Sequence, residues 1–214
     1  MGQSRIIKAE GVADIVCVLV HGRGQSPDDM EQLVVRPLNA AGVHYVLPQS
    51  GPTGWYAARA IDPLTDDCRA ELGAALDQLD EAVTEAVAMA AGKPVLLAGF
   101  SQGACLSVEY LMPEGPVVDA AALLTGCRVG TCGDNLPITD LAGLPVYASC
   151  GDADSWIPAA SYHDMLGDLT RAGARLRTDM LPGRPHTVAA PEIAMIRRMI
   201  ADMAAQRPVF DGTA

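Results

Sequence analysis

Ser101 stands between two glycines in Gly99-Phe100-Ser101-Gln102-Gly103, at the end of an apolar run that begins at Pro94. An apolar set at helical spacing follows: Ala104, Leu106, Val108, Leu111 and Met112. A buried strand, a sharp turn and a helix fit that order. A Cβ at either glycine would strike the neighbouring strand or helix. Such a turn leaves the serine proud of a strand end, on strained backbone, at a helix N-terminus, which is a nucleophile elbow. Free N–H groups and the partial positive charge of the helix end suit a developing oxyanion. An ordinary capping serine in a glycine-rich turn reads the same way locally, so other groups must decide.

A serine hydroxyl near neutral pH needs a base within reach, and the base needs a third group to set its tautomer. Two of the four histidines follow Ser101. His163 falls inside a predicted helix, where a histidine is ordinarily structural. His186 falls in a Gly/Pro loop, residues 182–186, directly after the last predicted strand, and is the expected base. Asp152 and Asp154 both follow a strand end. Asp154 sits deeper in its loop and can turn back toward His186. Asp152 is the alternative and otherwise caps the turn. Asp134 and Asp140 lie in a loop without strand geometry and are expected in solvent.

The oxyanion needs two converging donors. One is expected from the Gln102 amide, the other from the Arg23 amide in His21-Gly22-Arg23-Gly24, with His21 bracing that loop. Cys105, four residues past Ser101, is expected to face the core. Only 4% of the residues are aromatic, so Trp55, Tyr56 and Trp156 stand out in strand-end loops. Trp55 and Trp156 are candidate pocket walls, and Tyr56 is read as packing. The Arg23 side chain either favours an anionic substrate or pairs with Asp28 or Asp29 on the surface.

The elements that must position these groups alternate. Predicted strands cover residues 5–10, 14–20, 43–48, 94–98, 117–125, 145–150 and 174–181. Predicted helices cover 26–40, 65–91, the stretch after Ser101, 159–172 and 189–205. Strand and helix alternation argues for a mostly parallel, doubly wound sheet of about seven strands, which binds ligands at the strands' carboxyl ends. Every candidate loop above follows a strand end. At 214 residues a single domain, 1–206, is expected, with a loose tail at 207–214.

Net charge is −11 and the sequence pI about 4.6. Such a surface repels nucleic acid and anionic membranes. No signal peptide or ~20-residue apolar span is visible, so a cytoplasmic chain is expected. Six cysteines are present. Most are expected as buried thiols, although Cys127 and Cys132 are close enough in sequence to meet. Zinc there would lack two ligands, and no metal is expected.

Taken together, His21-Gly22-Arg23-Gly24, Trp55-Tyr56, Gly99-Phe100-Ser101-Gln102-Gly103, Gly151-Asp152-Ala153-Asp154 with Ile157-Pro158, and Gly183-Arg184-Pro185-His186 resemble the phospholipase/carboxylesterase family of the α/β-hydrolases. The family includes small bacterial carboxylesterases and acyl-protein thioesterases. The motifs run nearly the whole chain in the family's order. The resemblance implies a Ser101, Asp154, His186 triad with the amides of Arg23 and Gln102 as oxyanion hole. It also implies an α/β-hydrolase fold without a large cap, a small-molecule ester substrate, no cofactor and often a homodimer. Arg23 and Ala57 depart from the apolar residue and the Asp or Pro that many members carry there, which bears on substrate. The segments 49–63 and 126–144 are short, so an open, shallow site for small or medium acyl esters is expected. A thioesterase, or a ligand-binding homologue without turnover, are the alternatives.

Overall fold

The computed structural model describes residues 4–113, 117–131 and 133–210. Its seven strands form one sheet in the order β1-β3-β2-β4-β5-β6-β7. They are β1 Arg5–Ile7, β2 Ile15–Val20, β3 Val43–Leu47, β4 Val95–Phe100, β5 Ala120–Leu124, β6 Pro145–Gly151 and β7 Arg175–Leu181. β1 pairs antiparallel with β3, and every other pairing is parallel. β2, β4 and β5 are buried at every position, as strands covered on both faces must be.

Alternation along the strands splits the core in two. Val16, Val18, Val20, Leu97 and Leu123 face one layer, and Cys17, Leu19, Leu96, Ala98 and Leu124 face the other. The first layer is covered by α3 (Asp66–Ala90), α4 (Gln102–Leu111) and α5 (Ala159–Arg171). The second is covered by α1 (Pro27–Met30), α2 (Arg36–Leu38) and α6 (Ala190–Ala204). No separate cap domain is present among the described residues. No helix among them is long and apolar enough to cross a membrane.

Two helices differ from the sequence reading. The single helix expected over 26–40 is three tracts, with a π-helical turn, Glu31–Val35, between α1 and α2. Pro37 has no N–H to return to the preceding turn, and the wider turn just before it takes up the mismatch. Its start follows from Ser26-Pro27-Asp28-Asp29, a capping serine with Pro at the first position and acids in the first turn: Ser26 and Asp29 cap reciprocally and Pro27 opens the helix, an arrangement worth about 1 kcal/mol. In α3, Thr65 caps the start; the sequence repeats Leu72, Leu76, Leu79, Val83 and Val87 every three to four residues as an expected buried stripe, but Val87 points outward at 44% exposure. Ala75, Ala82, Ala86 and Ala90 take the buried side with Leu72, Leu79 and Val83. Small side chains there let α3 lie close to the sheet.

The outer strands are poor templates for further pairing. β1 is three residues long, and β7 places exposed Arg175 and Arg177 on its surface. The tail expected to be loose from residue 207 is held over its described part. Val209 is buried, and Arg207 bonds Asp202 at 2.8 Å. Residues 211–214 and Cys132 lie outside the described residues.

Candidate active site

The register aligns the carboxyl ends of the strands. Val20 pairs with Gly99, Phe100 with Leu124, Leu124 with Ser149, and Gly151 with Leu181. From β4 to β7 is three strand spacings, roughly 14 Å. Groups leaving β6 and β7 must therefore reach back over the sheet edge to meet anything on β4.

Ser101 is the residue after β4 and precedes α4. Its backbone has φ 55° and ψ −122°, outside the regions open to most L-residues. The Ser101 N–H extends the ladder to the Leu124 carbonyl at 2.9 Å, and its carbonyl starts the helix by accepting from Cys105 N–H at 3.0 Å. Both flanking glycines are sterically required. A Cβ on Gly99 would lie 2.4 Å from the Gly103 carbonyl oxygen, and one on Gly103 would lie 2.1 Å from that of Val20.

The loop after β7 brings His186 back over β4. His186 Nε2 lies 2.8 Å from Ser101 Oγ, and Nδ1 lies 2.8 Å from Asp154 Oδ2. The Asp154 carboxylate is fully buried, and its second oxygen accepts the Trp156 and Ile157 amides at 2.8 and 2.9 Å. These bonds aim the carboxylate at the imidazole. The Phe100 ring packs against His186, with centroids 5.1 Å apart. Asp152 does not compete for the imidazole, because it accepts from the Gly183 N–H at 2.5 Å and ties the two loops together. His163 stays exposed on α5.

The loop after β2 runs directly beside the serine. A Cβ on Gly22 would lie 3.2 Å from Ser101 Cβ. Gly22 bonds Gln25 through both its N–H and its carbonyl, at 2.9 and 3.2 Å. Among the described residues, neither the Arg23 nor the Gln102 amide is bonded to a protein acceptor. The Arg23 guanidinium pairs with neither Asp28 nor Asp29, which Arg5 and Ser26 hold. Instead it donates to the Ala58 carbonyl at 2.5 Å and fastens the 49–63 segment to this loop.

His21 is fully buried beneath the loop. Its Nδ1 donates to the Gly22 carbonyl at 2.8 Å, and its Nε2 accepts from Ser50 N–H at 3.1 Å. That pattern needs the neutral ring. Burial lowers its pKa below the ordinary 6.5, against the smaller upward pulls of the Gly22 carbonyl and Asp29. The unfolded chain therefore takes up this proton at higher pH than the folded one. Stability from His21 is complete above pH 6.5 and is lost as pH falls below it, by up to about 1.4 kcal/mol per pH unit until the lowered value is reached. The stability advantage of the natural protein over His21→Gln, measured by denaturant unfolding, should shrink between pH 7 and 5. An advantage that does not change with pH would contradict a buried neutral imidazole.

The aromatic candidates separate. Trp55 is buried, donates through Nε1 to the His21 carbonyl at 2.8 Å and packs on the His21 ring at 5.0 Å. It is buried as a brace, with the one polar atom of its side chain committed inward, where an exposed pocket wall was expected. Tyr56 is buried as packing. Trp156 is 65% exposed with its ring 6.0 Å from that of His186, on the rim of the site.

Sequence reasoning missed the Gln102 side chain. Its Oε1 accepts from Trp55 N–H at 3.0 Å and its Nε2 donates to the Tyr56 carbonyl at 2.7 Å, so the residue after Ser101 also pins the aromatic loop. Asp134 is not idle in solvent either; it accepts from Thr131 and from Leu64 N–H. Asp140 bonds Ala142 N–H at 2.8 Å. Cys105 is buried as expected, and its Sγ lies 3.8 Å from that of Cys127.

The 126–144 segment is fastened by buried Arg128, which bonds Glu109 on α4 at 2.7 Å and Asp168 on α5 at 2.7 Å. Between this segment, Ala60, Ile61 and α5 lies a cavity of about 570 Å³. Ser101, Asp154 and His186 do not line it.

Comparison with known proteins gives a consistent picture. The profile described as "Alpha/beta hydrolase family" matches residues 17–214. The chain is similar to a phospholipase/carboxylesterase from Dyadobacter fermentans, with 27% identity, 94% of this chain and 97% of that one covered, and a TM-score of 0.78. It is also similar in fold to a carboxylesterase from Mesorhizobium loti, with 22% identity, 92% and 93% covered, and a TM-score of 0.75. The Bacillus cereus carboxylesterase shares the fold at 19% identity, with 95% of each chain covered and a TM-score of 0.75. Among curated proteins no significant relative is found.

Proposed function

The chain belongs to the alpha/beta hydrolase family, and from that premise we propose that it is a serine hydrolase of small to medium carboxylic esters. One observation carries the reading: a continuous hydrogen-bond chain from Asp154 through His186 to Ser101, each link 2.8 Å. The Dyadobacter phospholipase/carboxylesterase, aligned over nearly its whole length, supports the substrate class.

In this reading His186 Nε2 takes the Ser101 proton as Oγ attacks the ester carbonyl. Asp154 holds the ring with its proton on Nδ1 and stabilises the imidazolium that forms. The Arg23 and Gln102 amides receive the oxyanion; losing one such donor typically costs ~3 kcal/mol of transition-state stabilisation. His186 then returns the proton to the departing alcohol. The acyl group stays on Ser101 until a water, activated by the same imidazole, releases it. Hydrolysis of p-nitrophenyl esters from acetate to octanoate, with labelling of Ser101 by a fluorophosphonate, tests this. Absence of both turnover and labelling in folded protein would leave a binding homologue instead.

Trp156 offers the acyl or alcohol group an exposed apolar face beside the base. Covering about 50 Å² of it is worth about 1.3 kcal/mol, or roughly tenfold. Trp156→Ala should lower kcat/KM about tenfold for octanoate and much less for acetate. Equal losses on both esters would remove Trp156 from substrate contact.

A further inference from the structure

Two residues before the base, Arg184 is almost completely buried. Its Nη1 donates to the Pro185 carbonyl at 3.2 Å and to the Thr187 carbonyl. These peptide groups flank His186 on either side. Its Nη2 donates to Thr125 Oγ1 at 2.5 Å, at the end of β5, and lies 3.5 Å from Glu192 Oε1. Glu192 is itself fully buried. It accepts from Ser149 Oγ on β6 and from Ala189 N–H at 2.6 Å, before α6. Thr125 is locked in turn: it has φ 58° and its N–H reaches the Ser149 carbonyl at 2.7 Å. One guanidinium thus joins the loop after β7 to the ends of β5 and β6 and to the start of α6.

Asp152 fastens the start of the loop at Gly183, but beyond that the loop must span three strands to deliver an imidazole to within 2.8 Å of Ser101. It passes tightly over β6 at Gly151, where a Cβ would lie 2.0 Å from the Arg184 carbonyl oxygen. A buried cation that leaves its own Nε without a partner among the described residues is a poor choice for stability alone. A planar donor set that grips both peptides around the base is a good choice for geometry.

We propose that Arg184 is a positioning residue for His186, fixing the backbone on both sides of the base through its Nη1 bonds. The proposal rests on the serine-hydrolase reading, since it acts through His186. A misplacement of about 1 Å at such a base costs on the order of 10²-fold in rate. Arg184→Met should therefore lower kcat for p-nitrophenyl butyrate about 10²-fold with KM within twofold. In a His186→Ala background, where no base remains to be placed, the same change should cost less than threefold of the residual rate. Arg184→Lys retains the charge beside Glu192, but its single nitrogen cannot occupy the separate Nη1 and Nη2 positions that hold the two carbonyls and Thr125; about a tenfold loss in kcat is expected.

If Arg184→Met does not fold, the lysine variant and its His186→Ala partner decide. Wild-type kcat in folded Arg184→Lys would overturn the proposal, as would equal losses from the Arg184 change with and without His186. Ser101→Ala separates the two readings. Turnover that survives it sinks the serine hydrolase and this proposal together. Turnover abolished by it, alongside wild-type Arg184 variants, sinks this proposal alone.

Discussion

Ser101→Ala is expected to lower ester turnover by roughly 10⁶-fold, because removing the nucleophile leaves His186 and Asp154 with nothing to act through. The residual rate should resemble that of the His186→Ala protein, since the members act as one unit and their losses do not add. Ser101→Gly separates chemistry from strain. At φ 55° and ψ −122° the serine is held where glycine is at ease. Such strain costs on the order of 1–3 kcal/mol, so the glycine variant should be inactive yet more stable by about 1 kcal/mol. For a chain of this size that is a rise in Tm of about 2–4 °C. Turnover within tenfold of the natural protein in either variant would remove Ser101 from the reaction. A lower Tm in Ser101→Gly would show that the elbow is relaxed.

Asp154→Asn is the second large effect. The carboxylate receives the Trp156 and Ile157 amides on Oδ1 and the imidazole on Oδ2. An asparagine keeping its carbonyl on the two amides must turn its NH₂ toward His186 Nδ1. The imidazole then carries its proton on Nε2, facing Ser101, and cannot accept another. A loss of about 10⁴ in kcat at neutral pH follows, with KM little changed. The buried charge is removed without changing the volume of the side chain, so the fold should tolerate it. Thermal unfolding and steady-state kinetics on the same sample check both halves. A loss under tenfold would mean that His186 finds its tautomer without Asp154.

Much of the architecture was legible along the chain. Unbroken apolar runs such as 15–20 and 95–98, too short for buried helices and closely followed by Gly, read as strands covered on both faces, and they are. The glycines around Ser101 marked a sharp turn, and the Cβ clashes at Gly99 and Gly103 supply the reason for them in atoms. The expected span 65–91 matches α3, Asp66–Ala90, because Thr65 can cap its start and Gly92 stops it. The π-helical turn before Pro37 was not legible, because it depends on how one missing N–H is absorbed. Neither was the outward turn of Val87, because Ala86 and Ala90 satisfy the same face with less bulk.

Residue types and their order along the chain determined which groups could do chemistry: a serine in an elbow, one histidine in a late loop, and acids at a strand end. Those are local properties, carried by spacing and backbone preference. Only the tertiary structure chose Asp154 over Asp152, turned Trp55 inward and Trp156 outward, and directed Arg23 to Ala58. It alone brought Arg184 to the carbonyls on either side of His186, since a charged residue in a Gly/Pro loop reads as solvated until Thr125, Ser149 and Glu192 close around it. The physical reason is distance along the chain. Partners 32 residues or more apart in sequence meet here only because parallel pairing sets the strand ends side by side. No local pattern encodes which side chains then face one another.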